Sequence, residues 1–206
     1  AVTLANPVTI DTDATNNSGD ITIGVVTGSG QNFAMETGNN IAGADITASG
    51  AISNVATLIL DNVGGTATFS GDVDVNALDV DNTVANLALT GSGSTIATNF
   101  TPSNDGTLVL GDASGDTLTF NGGLTESTTG TVTLSGSIVS SDDTINFGPI
   151  TLGADTIINS AGGSIVTGNI TGTSGQDITI TSTGGSTNTA LTNGTIGAGG
   201  NINTVA

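Results

Sequence analysis

The chain has 206 residues, with 18 Asp and Glu against no Lys, Arg or His, and so a formal charge of -18; Cys, Trp and Tyr are also absent. A surface without cationic side chains has no grip on nucleic acid or anionic lipid, both of which are held chiefly by Lys and Arg. Without His or Cys there is no soft-metal site, no thiol nucleophile and no ordinary catalytic triad, so no catalytic residues are assigned and no enzyme is expected.

Net charge and 32 Gly point toward disorder, but 35% of residues are hydrophobic and only 9% charged. The apolar residues also fall in short alternating runs, which is the pattern of folded strands. No apolar run approaches the ~18 residues of a membrane-spanning helix, and no positively charged leader precedes one, so membrane insertion is not expected. The chain begins at Ala1 without Met. That suits a processed secreted product or an excised segment, and the expected location is extracellular or at the cell surface.

In chain order, Ala1-Val2-Thr3-Leu4-Ala5 is strand-like and apolar, and Pro7 follows it. Thr57-Leu58-Ile59-Leu60 and Thr66-Ala67-Thr68-Phe69 flank the Gly64-Gly65 turn signal. Asp72-Val73-Asp74-Val75-Asn76 alternates acid and Val, as a strand with one buried face does. Beyond it, Thr107-Leu108-Val109-Leu110 and Thr117-Leu118-Thr119-Phe120 echo the earlier pairs at offsets of 50 and 51 residues. Gly130-Thr131-Val132-Thr133-Leu134-Ser135 and Asp177-Ile178-Thr179-Ile180-Thr181 alternate again, and Asn201-Ile202-Asn203-Thr204-Val205-Ala206 closes the chain in the same style. Asn121-Gly122-Gly123, Gly162-Gly163, Gly184-Gly185 and Asn193-Gly194 supply turns between these runs. No 3.6-residue pattern persists, and β-branched residues dominate, so the fold class is all-β.

Self-similarity suggests a period. Asn99-Phe100-Thr101-Pro102 and Asn146-Phe147-Gly148-Pro149 lie 47 residues apart, Pro7 lies 95 before Pro102, and Ser29-Gly30-Gln31 recurs 145 residues on as Ser174-Gly175-Gln176. The expectation is one domain over 1–206 with four repeats of about 48 residues, spanning 7–54, 55–104, 105–148 and 149–206, each of one or two coils of a β-solenoid. The alternative is a β-sandwich in which residues 1 to 10 insert as a donor strand into a neighbouring subunit.

The string Pro149-Ile150-Thr151-Leu152-Gly153-Ala154-Asp155-Thr156-Ile157-Ile158-Asn159-Ser160-Ala161-Gly162-Gly163-Ser164-Ile165 resembles the strand repeats of filamentous-haemagglutinin-like and autotransporter-passenger surface proteins. The likeness is clearest over 105–200 and lies in repeat style, not in an active-site motif. It implies a right-handed parallel β-helix, secretion, and roles in adhesion, biofilm or surface fibres. Members of that family carry some Lys and Arg, and this chain has none.

The densest acids, Asp72, Asp74, Asp79 and Asp81, share strand faces in pairs about 7 Å apart. Their repulsion makes Ca²⁺ the candidate ion there, although no cofactor is required, and a solvated acidic face is the plainer reading. Gly111–Leu118 and Ser140-Ser141-Asp142-Asp143 read as polar turns, and Glu36 and Glu126 are expected on the exposed surface. Sequons at Asn16, Asn99, Asn169 and Asn193 are candidate N-glycosylation sites. The strand-like ends carry no visible block, so Ala1, Val2, Thr3, Leu4, Ile202 and Val205 are the candidate contacts between copies of a head-to-tail homopolymer. The second function class is a surface adhesin segment that binds glycans or a host surface.

Overall fold

The computed structural model describes residues 1–13, 19–39, 41–182, 191–192 and 202–205, the last two stretches as backbone alone. Every strand pairing among these residues is parallel. Each strand bonds to the one a full turn further along the chain, which makes a β-solenoid of about eight turns of ~21 residues. At about 4.8 Å per turn the stack is roughly 40 Å long.

Each turn has three faces. The first carries Val2, Val26, Ile52 and Val73 in register. The second carries Val8, Phe33, Leu58 and Leu78. The third stacks Ile21, Ile46, Ala67, Leu87, Leu108, Val132, Ile150 and Ile170. These columns point inward because alternate residues of a strand face opposite ways and only the apolar set gains by leaving water. Outward between them on the third face stand Thr22, Thr47, Thr68, Ala88, Val109, Thr133, Thr151 and Thr171. All five phenylalanines are in the core, and Phe100 and Phe120 stack with ring centroids 5.5 Å apart.

The sandwich alternative is overturned. Hairpins require antiparallel neighbours, and Gly64-Gly65, Gly122-Gly123 and Gly162-Gly163 instead turn corners between faces, as their positions between Leu60 and Thr66, Phe120 and Leu124, and Asn159 and Ile165 require. The Gly184-Gly185 and Asn193-Gly194 turns lie outside the described residues.

The period of about 48 residues is also corrected: the structural unit is the single turn. Leu58 belongs to the second face and Leu108 to the third, so the echo between residues 57–60 and 107–110 joins strings that are not equivalent in space. Likewise Thr66–Phe69 lies on the third face and Thr117–Phe120 on the first. Phe100 pairs with Leu124, which pairs with Ile145, so Phe147 lies two residues past the true counterpart of Phe100.

At one corner the turns meet without any side chain between them. A Cβ on Gly71 would lie 2.3 Å from the carbonyl carbon of Gly50, and one on Gly91 would lie 2.6 Å from the carbonyl oxygen of Gly71. The neighbour in each case is backbone held by the ladder, so it cannot swing aside. Gly71→Ala is expected to cost about 1–3 kcal/mol by overpacking, read as a lower urea midpoint with an unchanged m-value.

Candidate functional site

Among the described residues, the strands of the first turn, Val2–Thr3, Val8–Asp11 and Ile21–Ile23, each pair on one side alone, with Val26–Thr27, Phe33–Glu36 and Ile46–Ala48. Val2 and Val8 are 57% and 37% exposed, and Ile10 and Ile23 are half-buried against the core. Together with Leu4 and Phe33 they line an apolar hollow of about 350 Å³ at this end.

Of the candidate contacts, Ala1, Val2 and Thr3 are exposed, whereas Leu4 is 3% exposed and packs into the core of its own turn. Its amide N–H donates to the carbonyl of Thr27 at 2.9 Å. Ile202 and Val205 lie in the strand Ile202–Val205, which pairs with Gln176–Thr181.

The acids of the central strand divide by role. The Gly93 N–H donates to Asp72 Oδ1 at 2.9 Å, and the Thr83 N–H donates to Asp81 Oδ1 at 2.9 Å. Asp74 and Asp79 point to solvent. Among the described residues no three acidic side chains converge in a way that could hold a metal ion. Register instead builds an acidic column that the linear spacing hides: Asp11 pairs with Glu36, Asp61 follows Leu60 in the next turn, and Asp81 follows Val80 in the one after.

Several carboxylates and carboxamides serve as struts between turns. The Asp45 N–H donates to Asp20 Oδ1 at 3.0 Å, and the Thr66 N–H to Asp45 Oδ1 at 2.7 Å. The Thr107 N–H donates to Asn86 Oδ1 at 2.9 Å, and the Asp177 N–H to Asp155 Oδ1 at 2.9 Å. These bonds satisfy backbone donors at corners, where the strand ladder lapses. The loop from Gly111 is closed by Asp116, 6% exposed, whose Oδ2 accepts the N–H groups of Asp112 and Ala113 at 2.8 and 2.9 Å. Asp142 has φ 72° in an exposed turn. Both segments are therefore turns, as their composition indicates.

Glu126 departs from expectation. It is half-buried, not exposed, and backbone hydrogen bonds place it in register with Pro102 on one side and Phe147 on the other. The same column holds Met35, Leu60 and Val80, all buried. Glu126 thus stands where an apolar core residue stands in the turns around it. Its side chain borders a groove of about 500 Å³, between the segment 126–131 and the third face at Thr151 and Thr171. Nothing in the linear spacing marks Glu126, because only register shows which column it joins. Glu36 is half-buried as well.

Of the sequons, Asn99 and Asn169 are exposed, and Asn99 Nδ2 donates to the Thr101 hydroxyl at 2.8 Å. Asn16 and Asn193 lie outside the described residues. Among the described residues no helix is long and apolar enough to cross a membrane. No protein-family model matches the chain, and neither a curated protein nor a solved structure does.

Proposed function

We propose that this chain is a secreted structural protein whose copies join end to end into an extracellular filament, with the last turn of one copy completing the first turn of the next. The observation that carries this reading is the edge of the first turn, where, among the described residues, three one-sided strands surround an apolar hollow lined by Val2, Val8, Ile10 and Ile23. A parallel strand added there would satisfy the free backbone groups and cover those side chains, and a head-to-tail contact of this kind does not close on itself.

The charge distribution supports the same reading. All 18 acids lie between Asp11 and Asp177, and residues 1–10 and 178–206 carry none. Copies meeting end to end set the three acids of the first turn, Asp11, Asp13 and Asp20, against a segment that carries none, while copies meeting side by side set acidic flanks against each other without a cation to offset them. A chain without Lys or Arg also offers trypsin no cleavage site, which suits material outside a cell. On this reading no cofactor is needed, no reaction is performed, and the partner is a second copy of the chain.

Negative-stain micrographs of the purified protein should show unbranched fibres of uniform width. Fibre mass should rise as NaCl goes from 0.01 to 0.15 M, because the Debye length falls from about 30 to about 8 Å and repulsion between the acids of successive copies is screened. Monodisperse particles at every salt concentration would overturn the reading. A second reading, a surface-adhesin segment, is favoured by the groove at Glu126.

A further inference from the structure

We propose that the groove beside Glu126 binds a neutral saccharide. This does not depend on the filament reading, since the groove lies on the flank of the stack and not at its end.

The argument starts from the misplaced carboxylate. A side chain in the column of Val80, Pro102 and Phe147 would ordinarily add to the core, and a carboxylate cannot do so without a partner. Glu126 is instead held at the groove wall. The Gly148 N–H donates to Oε2 at 3.0 Å and the Thr128 hydroxyl donates to Oε1 at 2.8 Å. Each carboxylate oxygen has two lone pairs, so each retains one for a donor arriving from the groove. A Cβ on Gly148 would sit 3.1 Å from Oε2, and its absence leaves that approach open.

The opposite wall is built of hydroxyls. Thr151 and Thr171 face outward in adjacent turns with their oxygens 3.2 Å apart, and exposed Thr131 stands at the groove's edge beside exposed Pro149. A fixed acceptor on one side, threonine hydroxyls in adjacent turns on the other and a flat pyrrolidine ring suit a ligand with many hydroxyls and apolar C–H faces. The volume lies within the ~300–1,000 Å³ usual for small-molecule sites.

Other ligand classes fit poorly. An anion would enter the field of 18 acids with no Lys or Arg to receive it. An apolar ligand would strip water from the hydroxyls and from Glu126 without replacing the lost hydrogen bonds.

Saturation-transfer NMR reads the ligand's own signals and so works on fibres and on single copies alike. With cellohexaose, maltohexaose and chitohexaose as probes, at least one is expected to receive saturation from the protein. Glu126→Gln, and separately Thr131→Val with Thr151→Val, should each raise its Kd at least tenfold. Thr47→Val, on the same outward column several turns away, should leave Kd unchanged. The Val pair preserves shape at solvent-facing positions, so the test stands even if Glu126→Gln disturbs the fold. The proposal is overturned if none of the three saccharides is saturated, if the groove variants bind as tightly as the unaltered chain, or if Thr47→Val weakens binding equally.

Discussion

Replacing Val2 and Val8 together by Asp is expected to abolish filament formation while leaving the solenoid folded. Both side chains are substantially exposed in the single copy, at 57% and 37%, so the fold gives up little when they change. End-to-end contact would bury them. Each buried Val is worth about 1.5–3 kcal/mol, or roughly a tenfold to hundredfold change in the association constant, and the introduced carboxylates put charge into an apolar hollow. The critical concentration for pelleting should rise by at least about a hundredfold for the pair, with an unchanged β-type circular dichroism spectrum. Pairs of conservative changes at the same positions, Val2→Ile with Val8→Ile, should assemble normally. Fibres of the Asp variant at the original critical concentration would place the junction elsewhere.

The largest loss of stability is expected from Phe120→Ala. Phe120 is 1% exposed and stacks on Phe100 with the ring planes 7° apart. Removing such a ring costs about 3–5 kcal/mol, because the lost transfer energy is joined by a cavity that rigid strands on three faces cannot close. In a stack of this kind each turn touches only its neighbours. The damage should therefore be local at first, with hydrogen-exchange protection lost earliest on the strands Thr95–Ile96 and Val132–Ser140 that flank Thr117–Phe120. Thr133→Ala, on the outward column, should stay within about 0.5 kcal/mol. Equal thermal midpoints for the two variants would mean that Phe120 is not a core residue.

Which residues face inward could be read directly from alternation. Val73 and Val75 are buried while Asp74 is exposed, and Val132 and Leu134 are buried on either side of half-exposed Thr133. The reason is geometric: a strand's two faces are fixed by its own backbone, so a few consecutive residues carry the whole signal. The polar turns at Gly111–Asp116 and Ser140–Asp143 were legible for a similar reason, since local side-chain bonds to backbone define them.

Register was not legible. Hydrogen bonds that step from one turn to the next span anywhere from 18 to 26 residues, because the corners differ in length. A period that wanders by this much blurs any search for self-similarity: the matches at 50 and 51 residues joined strings on different faces, and the match at 47 residues was two residues out of register. Glu36 and Glu126 were misjudged for the same cause. A lone Glu in a Thr-rich stretch looks like surface, and only the neighbouring turns place Glu126 between Pro102 and Phe147.

Composition and alternation by themselves thus settled the all-β class, the inward and outward sets, and the exclusion of chemistry that needs His, Cys, Lys or Arg, since each of these depends on residue identity or on contacts a few positions apart. The tertiary structure decided the parallel stacking of single turns, the acidic column from Asp11 to Asp81, the apolar hollow of the first turn and the position of Glu126 beside its groove. All four depend on which residue lies above which, and that is set by the sum of corner lengths around each turn.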